Sequence, residues 1–424
     1  MRVAVAGAGL AGLTAAARLS EAGADVSVHE REPTVGGRVR TDRHDGYLLD
    51  RGFQVLFPAY PAAKTELDLD ALDLQTFSSG AVLARASTGE RSVLADPLRE
   101  PRALVESAFN REVTTIDKLR TLVLRRNVAM RDEDETFARS DNSIREYLRK
   151  WGFSQQYVER FVAPFYGGIT LDRSLATSKR VFEYTFKMLS AGPAALPAEG
   201  MGAISRQLRV RAERAGATVE TDAAVESVVA TDDGARVSLA DQTLNVDAAI
   251  VATDPPTARE LTGVDSVPTE GPGSVTQFYT LPGHAAIDTR RRIVLNVEGP
   301  APNALVPLSS VAPGYAPGDR QLLCATFLAA DDFDPFVMSD DALAERTHEA
   351  FAAWYPERAA GGLKRLETVR VPFAQFAQPP GVHDRLPTVD APAGEVYLAG
   401  DYTEWSSIQG ALRSGRTAAA AVSK

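Results

Sequence analysis

In the stretch MRVAVAGAGLAGLTAAARLSEAGADVSVHE, Gly7, Gly9 and Gly12 stand at the spacing G-x-G-x-x-G, and Glu30 closes the run. Such a pattern can hold a pyrophosphate. Gly7 permits a tight turn, Gly9 lets the backbone approach phosphate oxygens, and Gly12 lets the helix that opens with Leu10 and Ala11 lie close to its strand. Glu30 is placed to accept hydrogen bonds from ribose hydroxyls. A glycine-rich turn in an ordinary α/β unit is the simpler reading. The apolar run before the glycines, the helical pattern after them and the second apolar run ahead of Glu30 favour a dinucleotide.

A second element follows at once in REPTVGGRVRT, where Arg31 opens the stretch, Gly36 and Gly37 make a flexible turn, and Arg38 can clamp phosphate oxygens. Next, LLDRGFQVLFPAYP joins Asp50, Gly52, Phe53, Gln54 and Val55 to an apolar segment. A nicotinamide-binding protein needs only the first motif, so the second suggests a larger ligand held along its length. Near the other end, VYLAGDYTEWSSIQGALRSGRTAAA runs from a strand through Gly400 and Asp401 into a helix beginning near Ile408, Gln409 and Gly410, with Gly415 a turn later. Small residues there let a backbone lie close to a ligand or merely to a sheet. Asp401 could equally be a turn residue and Arg38 a surface cation.

The elements that must position these residues come in separated blocks. The first 75 residues read as a βαβ unit with a glycine-rich extension. From Val82 to Pro197 the pattern is mostly helical, in PRALVESAF, TIDKLRTLVLRRNVAM and SIREYLRKWGF. A helix, a strand ending near Glu220, a hairpin and the strand Ala248–Ala252 follow. From Val275 to Phe376 β-type runs recur, with a helix at Asp341–Trp354, and the chain closes on strand, loop and helix. The expected fold is α/β: a discontinuous Rossmann-like dinucleotide domain (1–75, 198–270 and 385–424) interleaved with an α+β substrate domain of antiparallel sheet and helices (76–197 and 271–384).

Composition narrows the function. The chain has 424 residues and a formal net charge of −10, which disfavours a phosphate-tracking nucleic-acid surface. One cysteine, Cys324, allows no internal disulfide or thiolate cluster, and the five histidines lack ligand spacing, so no metal is expected. The N-terminal apolar run, broken by glycines, reads as a strand rather than a signal peptide, and no run approaches a membrane span. A cytoplasmic protein is expected. In TTIDKLRTLVLRRNVAM, leucines and Val123 alternate with Lys118, Arg120, Arg125 and Arg126, a pattern for either a substrate-domain helix with a solvated face or peripheral contact with an anionic membrane. Nothing in the sequence specifies an oligomeric state.

The order G-A-G-L-A-G-L, terminal Glu, G-G-R-V-R-T, G-F-Q-V, A-G-D and Q-G-A-x-x-S-G resembles the FAD-dependent amine oxidase and phytoene desaturase superfamily. The resemblance covers roughly 150 residues of dinucleotide-domain blocks; elsewhere only the pattern agrees. It implies an oxidoreductase with non-covalent FAD. Gly7, Gly9 and Gly12 would face the pyrophosphate, Glu30 the adenosine ribose, and the Gly36–Gly37–Arg38 turn the phosphates and ribityl chain. Gly52, Phe53, Gln54 and Val55 would border the flavin ring, the backbone of Val225 would pair with adenine, and Asp401, after Gly400, would bond the ribityl or pyrophosphate region. The amides of Ile408, Gln409 and Gly410 would stand at the N1/C2=O edge of the flavin, where the positive end of a helix stabilises the reduced anion.

Amine oxidases of the superfamily place an aromatic residue in the closing loop and a lysine on a strand facing flavin N5. The matching places here hold Ser407 and Gln277. The glycine blocks, GFQVLFPAYP and AGDYTEWSSIQGALRSGR are similar to plant- and cyanobacterial-type phytoene desaturases and squalene-associated desaturases. The expectation is therefore a desaturase-like enzyme passing a hydride from an apolar, isoprenoid-type substrate to flavin N5, with reoxidation by oxygen or a quinone. Amine oxidation, protoporphyrinogen oxidation and non-catalytic flavin binding are the alternatives. No catalytic base stands out; Tyr166, Gln277 and Trp405 are pocket candidates, each also readable as core or surface.

Overall fold

The computed structural model describes residues 1–95, 113–358 and 362–424. PRALVESAF lies outside the described residues. A five-stranded parallel sheet runs in the order Val396–Leu398, Ala248–Val251, Arg2–Ala6, Asp25–His29, Thr218–Glu220. Its central strands, RVAVA and AAIV, are near-continuous apolar runs because both faces are covered. On one face pack the helices Leu10–Glu21, Gly202–Arg214 and Ile408–Val422. On the other lies an antiparallel meander, Val225–Thr231, Gly234–Leu239 and Thr243–Val246, whose Val228, Val237 and Leu239 join Ala4, Val251 and Leu398 in one core cluster.

A second sheet has seven strands and is mixed: Ile293–Asn296 pairs parallel with Ala81–Ala84, and the other pairs are antiparallel. Two strands, Ala81–Ala84 and Arg91–Leu94, fall in the segment whose pattern predicts helix. Four residues each, AVLA and RSVL, are too short to separate strand from helix by periodicity; pairing of the first with Ile293–Asn296 and of the second with the first decides for strand. Likewise NALVPLSSV is strand only over Ala304–Val306; after Pro307 it turns into the short helix Leu308–Val311. A helical layer follows, including Thr115–Ala129, Ile144–Lys150, Ala163–Thr170 and Lys179–Ala191. Among the described residues, no helix is long and apolar enough to cross a membrane.

The terminal helix explains part of its own small-residue content by packing. A methyl on Gly415 would lie 2.3 Å from the Ala11 carbonyl oxygen and 2.9 Å from Thr14 Cβ, so the two ends of the chain touch backbone to backbone. Gly415→Ala is expected to lower stability by about 2 kcal/mol, the strain outweighing the better helix propensity of alanine. Urea unfolding should show an earlier midpoint at unchanged slope, and an unshifted midpoint would mean that the helices separate at little cost.

Candidate active site

The glycine crevice lies where the strand Arg2–Ala6 hands over to the helix Leu10–Glu21. Gly7 has φ 101°, and a methyl there would sit 2.8 Å from the Ala252 carbonyl oxygen; one on Gly12 would sit 2.1 Å from the Gly7 carbonyl oxygen. Packing therefore requires both glycines. Gly9 differs: its φ is −74° and a methyl on it would meet nothing within 4 Å. Neither backbone conformation nor protein packing demands glycine at that place. Across the gap, the nearest atom to a methyl on Gly37 is Gly9 Cα at 3.7 Å. Two facing glycines thus keep a cradle clear of side chains at the N-terminus of a twelve-residue helix, whose Leu10 and Ala11 are turned into the core.

Glu30 is buried at the rim of this cradle. Its Oε2 accepts the Ala8 N–H at 2.8 Å and its Oε1 the Glu32 N–H at 3.0 Å, which fixes the carboxylate and leaves acceptor capacity on both oxygens. Arg31 is exposed and reaches Asp254 at 3.3 Å. Val225 begins the meander opposite Leu239, two residues after Ala223, whose N–H donates to the Glu30 carbonyl at 2.8 Å.

The second glycine turn is sewn to the first, since the Gly36 N–H donates to the Ala8 carbonyl at 2.8 Å. Arg38 is no surface cation. Its Nη2 donates to Asp401 Oδ1 at 2.7 Å and its Nη1 to the Ala374 carbonyl at 3.2 Å, while Ser406 Oγ donates to Asp401 Oδ2 at 2.8 Å. Burial works against the Arg38 charge, yet the Asp401 carboxylate outweighs it and raises the guanidinium pKa. Gln54 Nε2 donates to the Arg38 carbonyl at 2.7 Å, tying the GFQV turn to the arginine turn. Gly52 has φ 87°, and next to it Phe53 and Val55 are half-buried, the Phe53 ring edge-on to Phe77 at 6.3 Å.

Asp50 anchors this turn from beneath. Its carboxylate accepts from Thr41 Oγ1 at 2.5 Å, the Met201 N–H at 2.9 Å and the Tyr315 hydroxyl at 2.8 Å, and burial pushes its pKa up to about 6. Because the folded value lies above the unfolded one, the folded chain holds the proton more tightly between about pH 4 and pH 6. Stability contributed by Asp50 is thus present below the lower value and falls as pH rises to the upper, by about 3 kcal/mol. Subtracting the unfolding profile of Asp50→Asn from that of the parent should expose this downward slope, and a flat difference would contradict it.

Gly400 and the terminal helix complete the front. The Gly400 N–H donates to Ser414 Oγ at 2.9 Å. The helix starts at Ile408 with Ser407 as its cap, and Ser407 Oγ accepts the Gly410 N–H at 2.8 Å. Of the three amides expected to face a ligand, that of Gly410 is therefore already engaged within the chain. The N–H groups of Ile408 and Gln409 belong to the first turn and have no helical acceptor. The Gln409 side chain is structural: Oε1 accepts the Ala62 N–H at 2.9 Å and Nε2 donates to Glu133 Oε2 at 2.7 Å. A methyl on Gly410 would lie 2.1 Å from the Trp405 carbonyl oxygen.

The three pocket candidates part ways. Gln277 is core: its Nε2 donates to the Asp340 carbonyl at 2.8 Å and its Oε1 accepts from Tyr279, on the sheet face covered by the Asp340–Trp354 helix. Strand alternation sends Thr276 and Phe278 to the opposite face, where Thr276 Oγ1 lies 3.9 Å from a methyl built on Gly52. Tyr166 also packs as core, edge-on to Phe182 at 4.6 Å. Trp405 stands in an aromatic box with Tyr60 at 6.1 Å, Tyr184 at 5.4 Å and Phe137 at 5.7 Å, its indole N–H donating to Glu133 Oε1 at 2.8 Å. Glu133 and Tyr184 carry no local signature in the sequence. Tyr60 does stand next to last in the quoted FPAYP run, whose position behind the glycine turn is the available signal.

The residues present suit FAD: a side-chain-free cradle at a helix N-terminus would take a pyrophosphate, the pinned Glu30 carboxylate would take a ribose, and the Arg38–Asp401 pair stands next to the second glycine turn. Comparison with known proteins agrees. The model of the flavin containing amine oxidoreductase family matches residues 10–423. A 15-cis-phytoene desaturase of Synechococcus elongatus is 23% identical over all of this chain and 96% of its own length. Protoporphyrinogen oxidase 2 of Arabidopsis thaliana is 28% identical over 39% of this chain and 32% of its own. Among solved structures, putrescine oxidase bound to putrescine shares the fold at a TM-score of 0.74 and 18% identity, with both chains wholly covered. An oxidoreductase from Methanosarcina mazei does so at a TM-score of 0.73 and 18% identity, again over both whole chains. With the crevice assembled from both ends of the sequence and a family model spanning nearly its whole length, this chain belongs to the flavin-containing amine oxidoreductases and is an FAD-dependent oxidoreductase.

Proposed function

We propose that the protein holds FAD non-covalently and dehydrogenates an apolar, isoprenoid-type molecule to form a carbon–carbon double bond. The observation that carries this reading is the apolar, largely aromatic character of the half-buried side chains packed against the crevice core and the helical core. Phe161 and Phe165, stacked at 5.4 Å, and Leu189 are half-buried against both the crevice core and the helical core, while Phe53 and Val55 are half-buried against the first of these. Such a lining offers an elongated hydrocarbon contact along its length and excludes water. When bound, FAD supplies a two-electron acceptor for hydrogen leaving carbon. The chain's share is to cradle the pyrophosphate at Gly9 and Gly37, to hold Arg38 through Asp401, and to align the substrate on the aromatic row while a neighbouring proton departs to solvent. With a single dinucleotide fingerprint, reoxidation falls to oxygen or a quinone.

One feature favours amine oxidation instead. The rings of Tyr60 and Tyr184 are nearly parallel, 8° apart, with centroids 6.5 Å from each other, as walls flanking a small amine would be. Trp405 stands edge-on to both and all three are buried, which leaves the hydrocarbon reading ahead. An anaerobic screen decides between them. Linear polyene precursors, simple diamines and protoporphyrinogen are each mixed with the flavin-loaded protein, and flavin absorbance is followed. Bleaching by the polyene precursors alone is the expected result. Bleaching by a diamine or by protoporphyrinogen, with the hydrocarbons inert, would overturn the proposal; a flavin reduced by none of them would point to binding without turnover.

A further inference from the structure

The helix Thr115–Ala129 has two apolar faces where a surface helix ordinarily has one. Its inner face buries Leu124 and Val128 in the helical cluster with Tyr147, Phe153 and Val158. Asp117, the only carboxylate in the helix, also turns inward, accepting the Ser154 N–H at 2.8 Å and Ser154 Oγ at 2.6 Å. The outer face carries Ile116, Leu119, Leu122 and Val123, and Met130 follows one residue past the helix end, with exposures of 57%, 59%, 43%, 58% and 85%. Positions 116, 119, 123 and 130 fall on one line along the helix. These five side chains are five of the nine large hydrophobics exposed among the described residues, so the patch is a concentration and not the scatter found on any surface.

Cations frame the patch. Lys118, Arg120 and the exposed Arg126 lie on the same helix, where Arg125 turns inward to donate to the Ser190 carbonyl at 3.0 Å, and Arg149 and Lys150 end the neighbouring helix Ile144–Lys150. The turn after that helix abuts the first one, since a methyl on Gly152 would lie 2.9 Å from the Arg120 guanidinium. A chain of net charge −10 thus presents one helix whose outer face is apolar and whose other exposed charges are basic, the carboxylates Asp132, Glu133, Asp134 and Glu135 beginning only past Arg131.

We infer that this helix docks the protein on an anionic lipid surface. A bilayer offers both complements at once: headgroup phosphates for the cations, whose long stems reach up to them, and acyl chains for Leu119 and Val123. A second copy of the chain would bring the same cations face to face. Docking stands apart from the substrate assignment and is read without turnover.

The test is flotation of the flavin-loaded full chain with vesicles of phosphatidylcholine alone, and with an equal part of phosphatidylglycerol added. The protein should float with the mixed vesicles at low salt, stay behind with the neutral ones, and be released as salt rises. Leu119→Ser combined with Val123→Ser should weaken binding about tenfold or more, and Arg126→Glu about tenfold, roughly the effect of reversing one charge at such a surface. Both variants change exposed side chains, so flavin content and unfolding midpoint should match the parent. Absence of flotation in the parent overturns the inference, as does a double-serine variant that floats equally well. A double-serine variant that converts a dimer to a monomer in gel filtration, with no flotation by the parent, would reassign the face to self-association.

Discussion

Gly9→Val should give a folded protein that has lost its flavin, whereas Gly12→Val should not fold. The two glycines lie three residues apart in one motif and differ in what surrounds them. Around Gly9 an added Cβ would meet nothing within 4 Å, so a valine starts in space that no protein atom fills and is expected to intrude on a bound pyrophosphate rather than on the fold. At Gly12 the same methyl would lie 2.1 Å from the Gly7 carbonyl oxygen, a backbone atom that cannot step aside. For Gly9→Val the expected outcome is a far-ultraviolet spectrum like that of the parent apoprotein and FAD affinity weakened by at least about a hundredfold, some 3 kcal/mol. Retention of flavin by this variant would place the pyrophosphate elsewhere and undo the assignment of the crevice.

The second large effect is expected at Asp401. Asp401→Ala removes the partner of Arg38 at 2.7 Å and the acceptor of Ser406 at 2.8 Å. It leaves a guanidinium held in place by a carbonyl and no longer neutralised, which costs about 4 kcal/mol in fully buried pairs and less here, where 31% of the Arg38 side chain is exposed. Thermal unfolding should shift downward and FAD content should drop together, because the same pair joins the terminal block to the glycine–arginine turn. Asp401→Glu, which restores the charge at a slightly longer reach, should recover part of both. If the alanine variant unfolds with the parent, the pair contributes nothing and the coupling is wrong.

What could be read from the chain alone was the part written in local chemistry. Gly7, Gly12, Gly36 and Gly52 announce turns because only glycine suits the φ or the close approach there, and the apolar runs of the parallel sheet announce burial on both faces. The meeting of Asp401 with Arg38 was implied by the order of the blocks, though not their direct pairing. Strand-face assignment failed for Gln277 because a one-residue slip in alignment moves a side chain to the opposite face of a sheet. Glu133 was invisible for a different reason. Its importance comes from Trp405 and Gln409, more than 270 residues away in the chain, which both donate to its carboxylate. The hairpin Ala81–Ala84 and Arg91–Leu94 was missed because its pairing partner, too, is remote.

The order of strands in the parallel sheet bears on how such a chain is made. Its outermost member, Val396–Leu398, and the helix that covers Ala11 leave the ribosome after the other four strands of that sheet. Until then the nascent polypeptide carries an open strand edge at Ala248–Val251 and an uncovered seam on its first helix. Cofactor capture should therefore wait until that strand and helix have emerged, and a chaperone that shields the waiting edge should raise the yield of holoprotein.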